Sequence, residues 1–148
     1  MGKLCYIWDI MQWFSNAPQM KKISLFIIGL ICFQSIQSQN ADELNRESKN
    51  LIEQAKYNEA LPLLKKSAEL GNSEAQYNLG YVLQSGVAGT KNEKEAIDWY
   101  KKSSDNGFND GHYAMMMAYG NGQGIEQNSE KAFNYAIKCA NNDDTTCM

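Results

Sequence analysis

Apolar and small residues recur every three or four positions through much of the chain after residue 41. In one segment the spaced positions are Ala96, Trp99, Tyr100 and Ser103. This spacing places them on one face of a helix. Gly71 and Gly107 follow lysine-rich helical patterns, at the place where a residue in the left-handed conformation ends a helix. The pattern therefore predicts a series of helices separated by short turns.

The helical pattern repeats with a constant period. Ala60, Ala96 and Ala132 are 36 residues apart, and Gly71 and Gly107 share that spacing. A period in this range is typical of solenoids, in which stacked helix pairs bury a continuous core. The spacing predicts pairs at 42–55 with 58–70, 73–85 with 93–106, and 109–120 with 129–141. We therefore predict an all-α fold, a short right-handed α-solenoid of about three antiparallel helix pairs.

Polar residues mark where several of these helices begin. Ser73 is followed three residues later by Gln76, which is a capping-box pattern and predicts the start of a helix. Asn92 and Asn128 precede the second helices of the next two pairs, and asparagine is favoured at such N-caps.

The first forty residues do not follow the repeat. Lys21 and Lys22 precede an apolar run at 23–33, and small or polar residues follow. This layout is typical of a secretory signal peptide, and the run is too short to cross a bilayer core of about 30 Å. We predict a signal peptide at 20–38 and a helical-repeat domain at 39–148. Residues 1–19 are an uncertain leader or the result of a start codon placed too early. The mature protein would be periplasmic or secreted, with no stable membrane span.

Four cysteines are present. Cys32 lies in the first forty residues and leaves lipid modification open as an alternative to signal cleavage. In an exported protein the pair Cys139 and Cys147 favours a disulfide, worth about 2.5 kcal/mol from the short loop that it closes. The alternative is two free thiols. Two cysteines and one distant histidine do not make a metal-ligand set, so we expect no metal and no cofactor.

The net charge and the single histidine argue against two classes of function, nucleic-acid binding and general-base catalysis. The net charge is −3, and residues before 39 carry three lysines and one aspartate, so the remainder carries −5. An acidic body argues against a nucleic-acid partner. The single histidine, His112, has no evident Ser or Cys partner nearby in the sequence, so we expect a packed or exposed side chain and not a general base.

One triplet matches part of an enzyme signature. Ser104, Asp105 and Asn106 resemble a fragment of the penicillin-recognising enzymes. The Ser-x-x-Lys and Lys-Thr-Gly motifs that accompany it in those enzymes are absent from this sequence. Ser, Asp and Asn are also favoured at helix ends for local reasons. We therefore predict no catalytic residues.

Several motifs resemble a known repeat family. Residues 75–80, then Gly86, then 95–103 are similar to the Sel-one-like repeat, a relative of the tetratricopeptide repeat. The next unit carries Tyr119, Gly122 and Gly124 in the family's interhelix loop. Leu83 and Met116 depart from the family pattern. The resemblance covers about 41–142, with a tetratricopeptide-like unit at 41–71 and Sel-one-like units at 73–107 and 109–142.

The resemblance implies a non-catalytic scaffold for a protein or peptide partner. In tetratricopeptide arrays the first helix of each pair lines the concave side, which we call the first-helix surface. The residues expected there are Glu74, Tyr77, Tyr81, Gln84, Asp110, Tyr113 and Met117. Tyr77 and Tyr113 also match packing positions of the family, and that alternative stays open.

Two other functions stay open. Some cysteine-rich exported relatives are described as β-lactamase-like, which implies a β-lactamase-like or cell-wall-acting enzyme as one alternative. The other is a small immunity or inhibitor protein that binds one enzyme.

Overall fold

The computed structural model describes residues 37–89 and 91–140. The chain divides into two compact units, Met1–Gln37 and Ser38–Met148. The leader predicted at 1–19, most of the signal peptide predicted at 20–38, and Cys147 lie outside the described residues. The described residues form six helices and no strand. They are α1 (37–53), α2 (Tyr57–Glu69), α3 (Ser73–Ser85), α4 (Glu93–Asp105), α5 (Asn109–Asn121) and α6 (Ser129–Ala140).

The helices stack in chain order. From α2 onwards each helix packs on the next, and α3 also contacts α5. The first helices of successive pairs are thus neighbours, as the period of 36 residues predicts. The prediction of an all-α solenoid is confirmed. Helical conformation is already present at residue 37, five residues before the predicted start of the first helix.

Turns and caps follow the sequence pattern with one difference. Gly71 and Gly107 adopt φ values of +96° and +80°, which side chains rarely tolerate. The cap of α3 is Asn72 and not Ser73, because Asn72 Oδ1 accepts from the backbone N–H of Ala75 at 2.7 Å. Asn72 Nδ2 also donates to Asp42 (2.7 Å), a second bond that a serine hydroxyl at the next position does not make.

The other two predicted caps are confirmed. Asn92 Oδ1 accepts from the backbone N–H of Glu95 at 3.2 Å. Asn128 Oδ1 accepts from that of Lys131 at 2.9 Å. These bonds satisfy amide groups that have no partner within the helix.

Two buried clusters join consecutive pairs. The first contains Leu64, Ala68, Ala75, Leu79, Val82 and Trp99. The second contains Ala96, Ile97, Tyr100, Met115 and Ala118. Each cluster draws residues from two pairs, so a pair buries its apolar face only when its neighbour is present. Fully burying one large apolar side chain contributes about 1.5–3 kcal/mol.

Within each pair a small buried side chain of the second helix contacts a backbone carbonyl oxygen in the N-terminal half of the first helix. The Ser67 hydroxyl donates to the Ala41 carbonyl oxygen at 2.6 Å, and the Ser103 hydroxyl donates to that of Ser73 at 2.8 Å. In the third pair, Cys139 Sγ lies 3.6 Å from the Asn109 carbonyl oxygen. We call these three contacts the pair anchors.

The pair anchors define which first-helix positions are equivalent. Ser67, Ser103 and Cys139 are 36 residues apart, whereas Ala41 precedes Ser73 by only 32. The difference of four arises because the loop 54–56 within the first pair is four residues shorter than the loop 86–92 within the second. Position 41 therefore corresponds to 73 and 109.

Candidate functional site

Three large side chains of α3 and α5 are exposed. Tyr81 is 53% exposed, and Tyr113 and Met117 are each 38% exposed. All three belong to the predicted first-helix surface, and their helices are in contact. Met115, two residues before Met117, is fully buried, so the methionine run divides between core and surface.

Tyr77 lies between these exposed residues and the core. Its ring centroid is 5.7 Å from that of Tyr100 and 5.9 Å from that of Phe108. Burial raises the pKa of Tyr77, and the charge of Asp110 and the nearby Tyr81 and Tyr113 raise it further. Tyr77 is therefore a packing residue with Tyr81, Tyr113 and Asp110 around it.

Gln84 also contacts the buried layer beneath the first-helix surface. Its Oε1 accepts from the Tyr100 hydroxyl at 2.9 Å. Burial raises the pKa of Tyr100 far above its usual value, because the ionised form would be desolvated. The amide of Gln84 thus holds a neutral, buried phenol in place.

The two predicted acids lie in the first turns of α3 and α5, where the helix dipole favours negative charge. Asp110 is half-buried. Glu74 accepts from Asn45 Nδ2 at 2.6 Å and from Lys49 Nζ at 2.5 Å. The structure thus joins Glu74 to α1, which contributed no residue to the predicted surface.

A groove of about 330 Å³ lies where α1 meets the start of α3. One side of α1 between Asp42 and Glu53 lines it, together with Asn72 and Glu74. The pair anchors make Asp42, Asn45 and Lys49 the equivalents of Glu74, Tyr77 and Tyr81. The first-helix surface therefore extends over α1 and changes from aromatic to polar. Sequence reasoning missed these residues, although an alignment shifted by four at the first pair would have found them.

His112 has a partner that the sequence analysis did not expect. Its Nδ1 lies 2.6 Å from the Ser104 hydroxyl, and both side chains are buried. Thirty-six residues earlier, Gln76 Nε2 donates to the Ala68 carbonyl oxygen at 3.1 Å. Both residues therefore connect a first helix to the preceding second helix. A substrate could reach the Ser104 hydroxyl only if α4 and α5 separated.

The electrostatics of His112 agree with this packing role. Burial lowers its pKa, and Lys138 lowers it further against an opposing effect of Asp105. A neutral imidazole can accept or donate one hydrogen bond to a hydroxyl without carrying a buried charge. No group of three or more His, Cys, Asp or Glu residues that could hold a metal occurs within 37–89 and 91–140.

The last helix exposes apolar residues on its outer face. Phe133 is 67% exposed, whereas Ile97, its equivalent 36 residues earlier, is 6% exposed because the next pair covers it. Cys139 points the other way and is fully buried. Its predicted partner Cys147 lies outside the described residues, so the pairing stays a prediction. None of the described helices is both long and apolar enough to cross a membrane.

Comparisons with known proteins agree with this architecture. The Sel1 repeat family matches residues 50–72, 73–108 and 111–144. A crystal structure of c5321, described as a protective antigen present in uropathogenic Escherichia coli strains and displaying an SLR fold, is 40% identical, with a TM-score of 0.58. The match covers 62% of this chain and 20% of c5321. No curated protein matches the chain significantly.

Two further structures share the fold. A Sel1 repeat protein from Oxalobacter formigenes is 24% identical, with a TM-score of 0.67, over 73% of this chain and 46% of that protein. Cysteine rich protein B of Helicobacter pylori is 20% identical, with a TM-score of 0.58, over 60% of this chain and 67% of that protein. The chain thus spans about a fifth of c5321 and just under half of the Oxalobacter protein. Sel1 repeats generally form non-enzymatic helical scaffolds that mediate interactions between proteins. The chain belongs to the Sel1 repeat family.

Proposed function

We propose that this protein is an exported, non-catalytic scaffold that binds a protein or peptide through its first-helix surface. The observation that carries the proposal is the joint exposure of Tyr81, Tyr113 and Met117 on two adjacent helices. Tyrosine is enriched at binding hot spots because a rigid ring offers both apolar area and a hydroxyl. Methionine adapts its shape to irregular partners.

The arrangement beneath these side chains supports the proposal. Tyr77 and Gln84 both contact the buried Tyr100, so the helices that present Tyr81 and Tyr113 rest on a packed layer. A surface that is ordered before binding loses less conformational entropy when a partner arrives. The exposed residues would thus be held ready for a partner.

Export is supported by the signal-peptide pattern at 20–38 and by the cysteines. Cys139 is fully buried in α6. We propose that it forms a disulfide with Cys147, which would tie the end of the chain to α6. The protein recovered from the periplasm should begin at Gln39, by N-terminal sequencing. Non-reducing peptide mass spectrometry should recover Cys139 and Cys147 in one linked species, and recovery of both as free thiols would contradict this pairing.

The enzyme alternative is less well supported. Ser104, which belongs to the one triplet that resembles part of an enzyme signature, is buried and hydrogen-bonded to His112. An immunity or inhibitor protein would use the same surface but would show one tight, stoichiometric partner, whereas a scaffold can show several weaker ones.

A cross-linked pull-down from envelope extract tests the proposal. The baits are the unaltered protein, a Tyr81→Ala/Met117→Ala variant, and a Phe133→Ala/Ile137→Ala variant that removes exposed apolar groups from α6 as a matched control. Truncating two hot-spot residues should weaken binding by roughly 30-fold or more. We expect partners to be lost only with the first variant. If both variants capture the partners equally, the interface lies elsewhere on the protein. If partners are lost only with the α6 variant, the interface lies on the last helix.

A further inference from the structure

We propose that the groove between α1 and the start of α3 is a subsite for a basic side chain of the segment bound along the first-helix surface. The inference rests on the proposed function, because it assumes that a partner segment runs across α5 and α3 to α1. It adds to the proposed function the kind of side chain that one end of the bound segment would carry. The aromatic end would take apolar groups, and the α1 end would take a lysine or an arginine.

The floor of the groove has an acceptor without a donor. Asn45 lines the groove and is only 4% exposed. Its Nδ2 donates to Glu74 Oε2, whereas its Oδ1 has no hydrogen-bond partner among the described residues. A buried acceptor without a donor has lost its hydration without gaining a hydrogen bond, so it is unfavourable. A small movement of the amide toward an ammonium or guanidinium group in the groove would recover this bond.

The charges that line the groove favour a cation. Glu74 already binds Lys49, so that pair is close to neutral. Arg46 lies 3.9 Å from Glu43, an acid outside the groove. Asp42 accepts from a neutral amide, and the Glu53 side chain makes no hydrogen bond or ion pair with another described residue. The groove is thus lined by three carboxylates and by the two cations Arg46 and Lys49, a net charge of −1, beside the unpaired oxygen of Asn45.

Distances along the surface limit the length of the segment. Packed helices lie about 8–10 Å apart, so α1 and α5 are about 20 Å apart across α3. An extended chain spans at most about 3.3–3.6 Å per residue, so about six residues connect the two ends. A suitable probe is therefore a hexapeptide with two leucines at one end and one basic residue at the other.

Fluorescence anisotropy with labelled hexapeptides tests the inference. The probes carry two leucines at one end and arginine, glutamine or glutamate at the other, in both chain directions. For one direction we expect the arginine peptide to bind the full protein about 3- to 10-fold more tightly than its glutamine counterpart. The advantage should disappear in Asp42→Asn/Glu53→Gln. It should persist in Glu47→Gln/Glu69→Gln, which removes two exposed acids that lie outside the groove.

The single variant Glu53→Gln guards against loss of folding, because this exposed side chain makes no bond with other described residues. It should lose part of the arginine advantage. A preference for the glutamate peptide, or an arginine advantage unchanged in the groove variants, would overturn the inference. Failure of every peptide to bind would overturn it as well.

Two results separate this inference from the proposed function. Tyr81→Ala/Met117→Ala should weaken all three peptides alike; if it changes none of them, the first-helix surface is not the binding surface. Acetyl-arginine amide tests the groove alone, by NMR shifts of backbone amides in α1 and at the start of α3. Absence of shifts there would overturn the subsite even if the peptides require Tyr81 and Met117.

Discussion

Gly80 of α3 faces the ring of Tyr100 on α4, and replacing it with alanine tests how rigidly this contact is held. A Cβ atom at position 80 would lie 2.7 Å from both Cδ1 and Cε1 of Tyr100 and 3.1 Å from the Ala96 carbonyl oxygen. The ring has little freedom to move, because it is buried, packs against Tyr77 and is hydrogen-bonded through its hydroxyl.

Two opposing effects set the magnitude. Alanine in a helix interior is favoured over glycine by about 1 kcal/mol. Overpacking a well-filled core costs about 1–3 kcal/mol. We therefore expect Gly80→Ala to lower the free energy of unfolding by up to about 2 kcal/mol. Gly120→Ala is the matched control, because no atom other than those of its chain neighbours and its own helix backbone lies within 4 Å of the added Cβ. It should raise stability by up to about 1 kcal/mol.

Urea unfolding followed by far-UV circular dichroism measures both variants. A third variant, Gly80→Ala in a Tyr100→Leu background, should show that alanine at 80 is neutral or stabilising once the ring is gone. If Gly80→Ala stabilises the native chain as much as Gly120→Ala does, the ring moves at little cost and the packing argument is wrong.

Three other predictions concern polar groups. Because the pKa of His112 is lowered in the fold, the unfolded chain takes up the proton more readily. The stability that this group confers is therefore complete above about pH 6.5 and decreases as the pH falls through that value. Urea midpoints between pH 8 and 5 should show this decrease, and His112→Gln, which copies Gln76, should reduce it. Ser103→Ala should cost about 1–3 kcal/mol in the same assay, because the Ser73 carbonyl loses its buried donor; a change below 0.5 kcal/mol would contradict the role of the pair anchor. Asn128→Ala should cost about 1 kcal/mol and lower helicity at α6, by circular dichroism, through loss of the cap bond.

Much of the fold follows from the sequence because its period is long and regular. Five of the six helices begin and end within one residue of the predicted bounds. The cap of α3 was placed one residue late, because Ser73 and Asn72 are both good caps and only the contact with Asp42 distinguishes them. The Met116 departure fits the same period. Met116 stands at the position of Gly80 and Ala136 at that of Tyr100, so the large and the small residue exchange places between the two pairs.

The candidate site was less predictable. Tyr81, Tyr113 and Met117 are exposed as expected, but the contribution of α1 depends on a loop that is four residues shorter. An alignment based on the second helix of each pair does not show that α1 is offset by four residues from the first helices of the later pairs. The contact between Ser104 and His112 was missed for a different reason. Ser104 and His112 are eight residues apart and lie on different helices. Their side chains meet only because the turn between α4 and α5 brings the two helices together, and no sequence motif marks that geometry.

The pair anchors have a mechanical consequence. In the first two pairs the anchor closes the pair on itself, since a serine hydroxyl near the end of the second helix donates to a backbone carbonyl of the first helix. When tension is applied at the two ends of the chain, we expect the helix pairs to unfold one at a time, because breaking the anchor bond of one pair does not break that of the next. A released pair of 36 residues adds about 120–130 Å of contour length. Steps of this size in single-molecule stretching would identify the helix pair as the unit that resists force, whereas steps of single helices would show that the anchors rupture first.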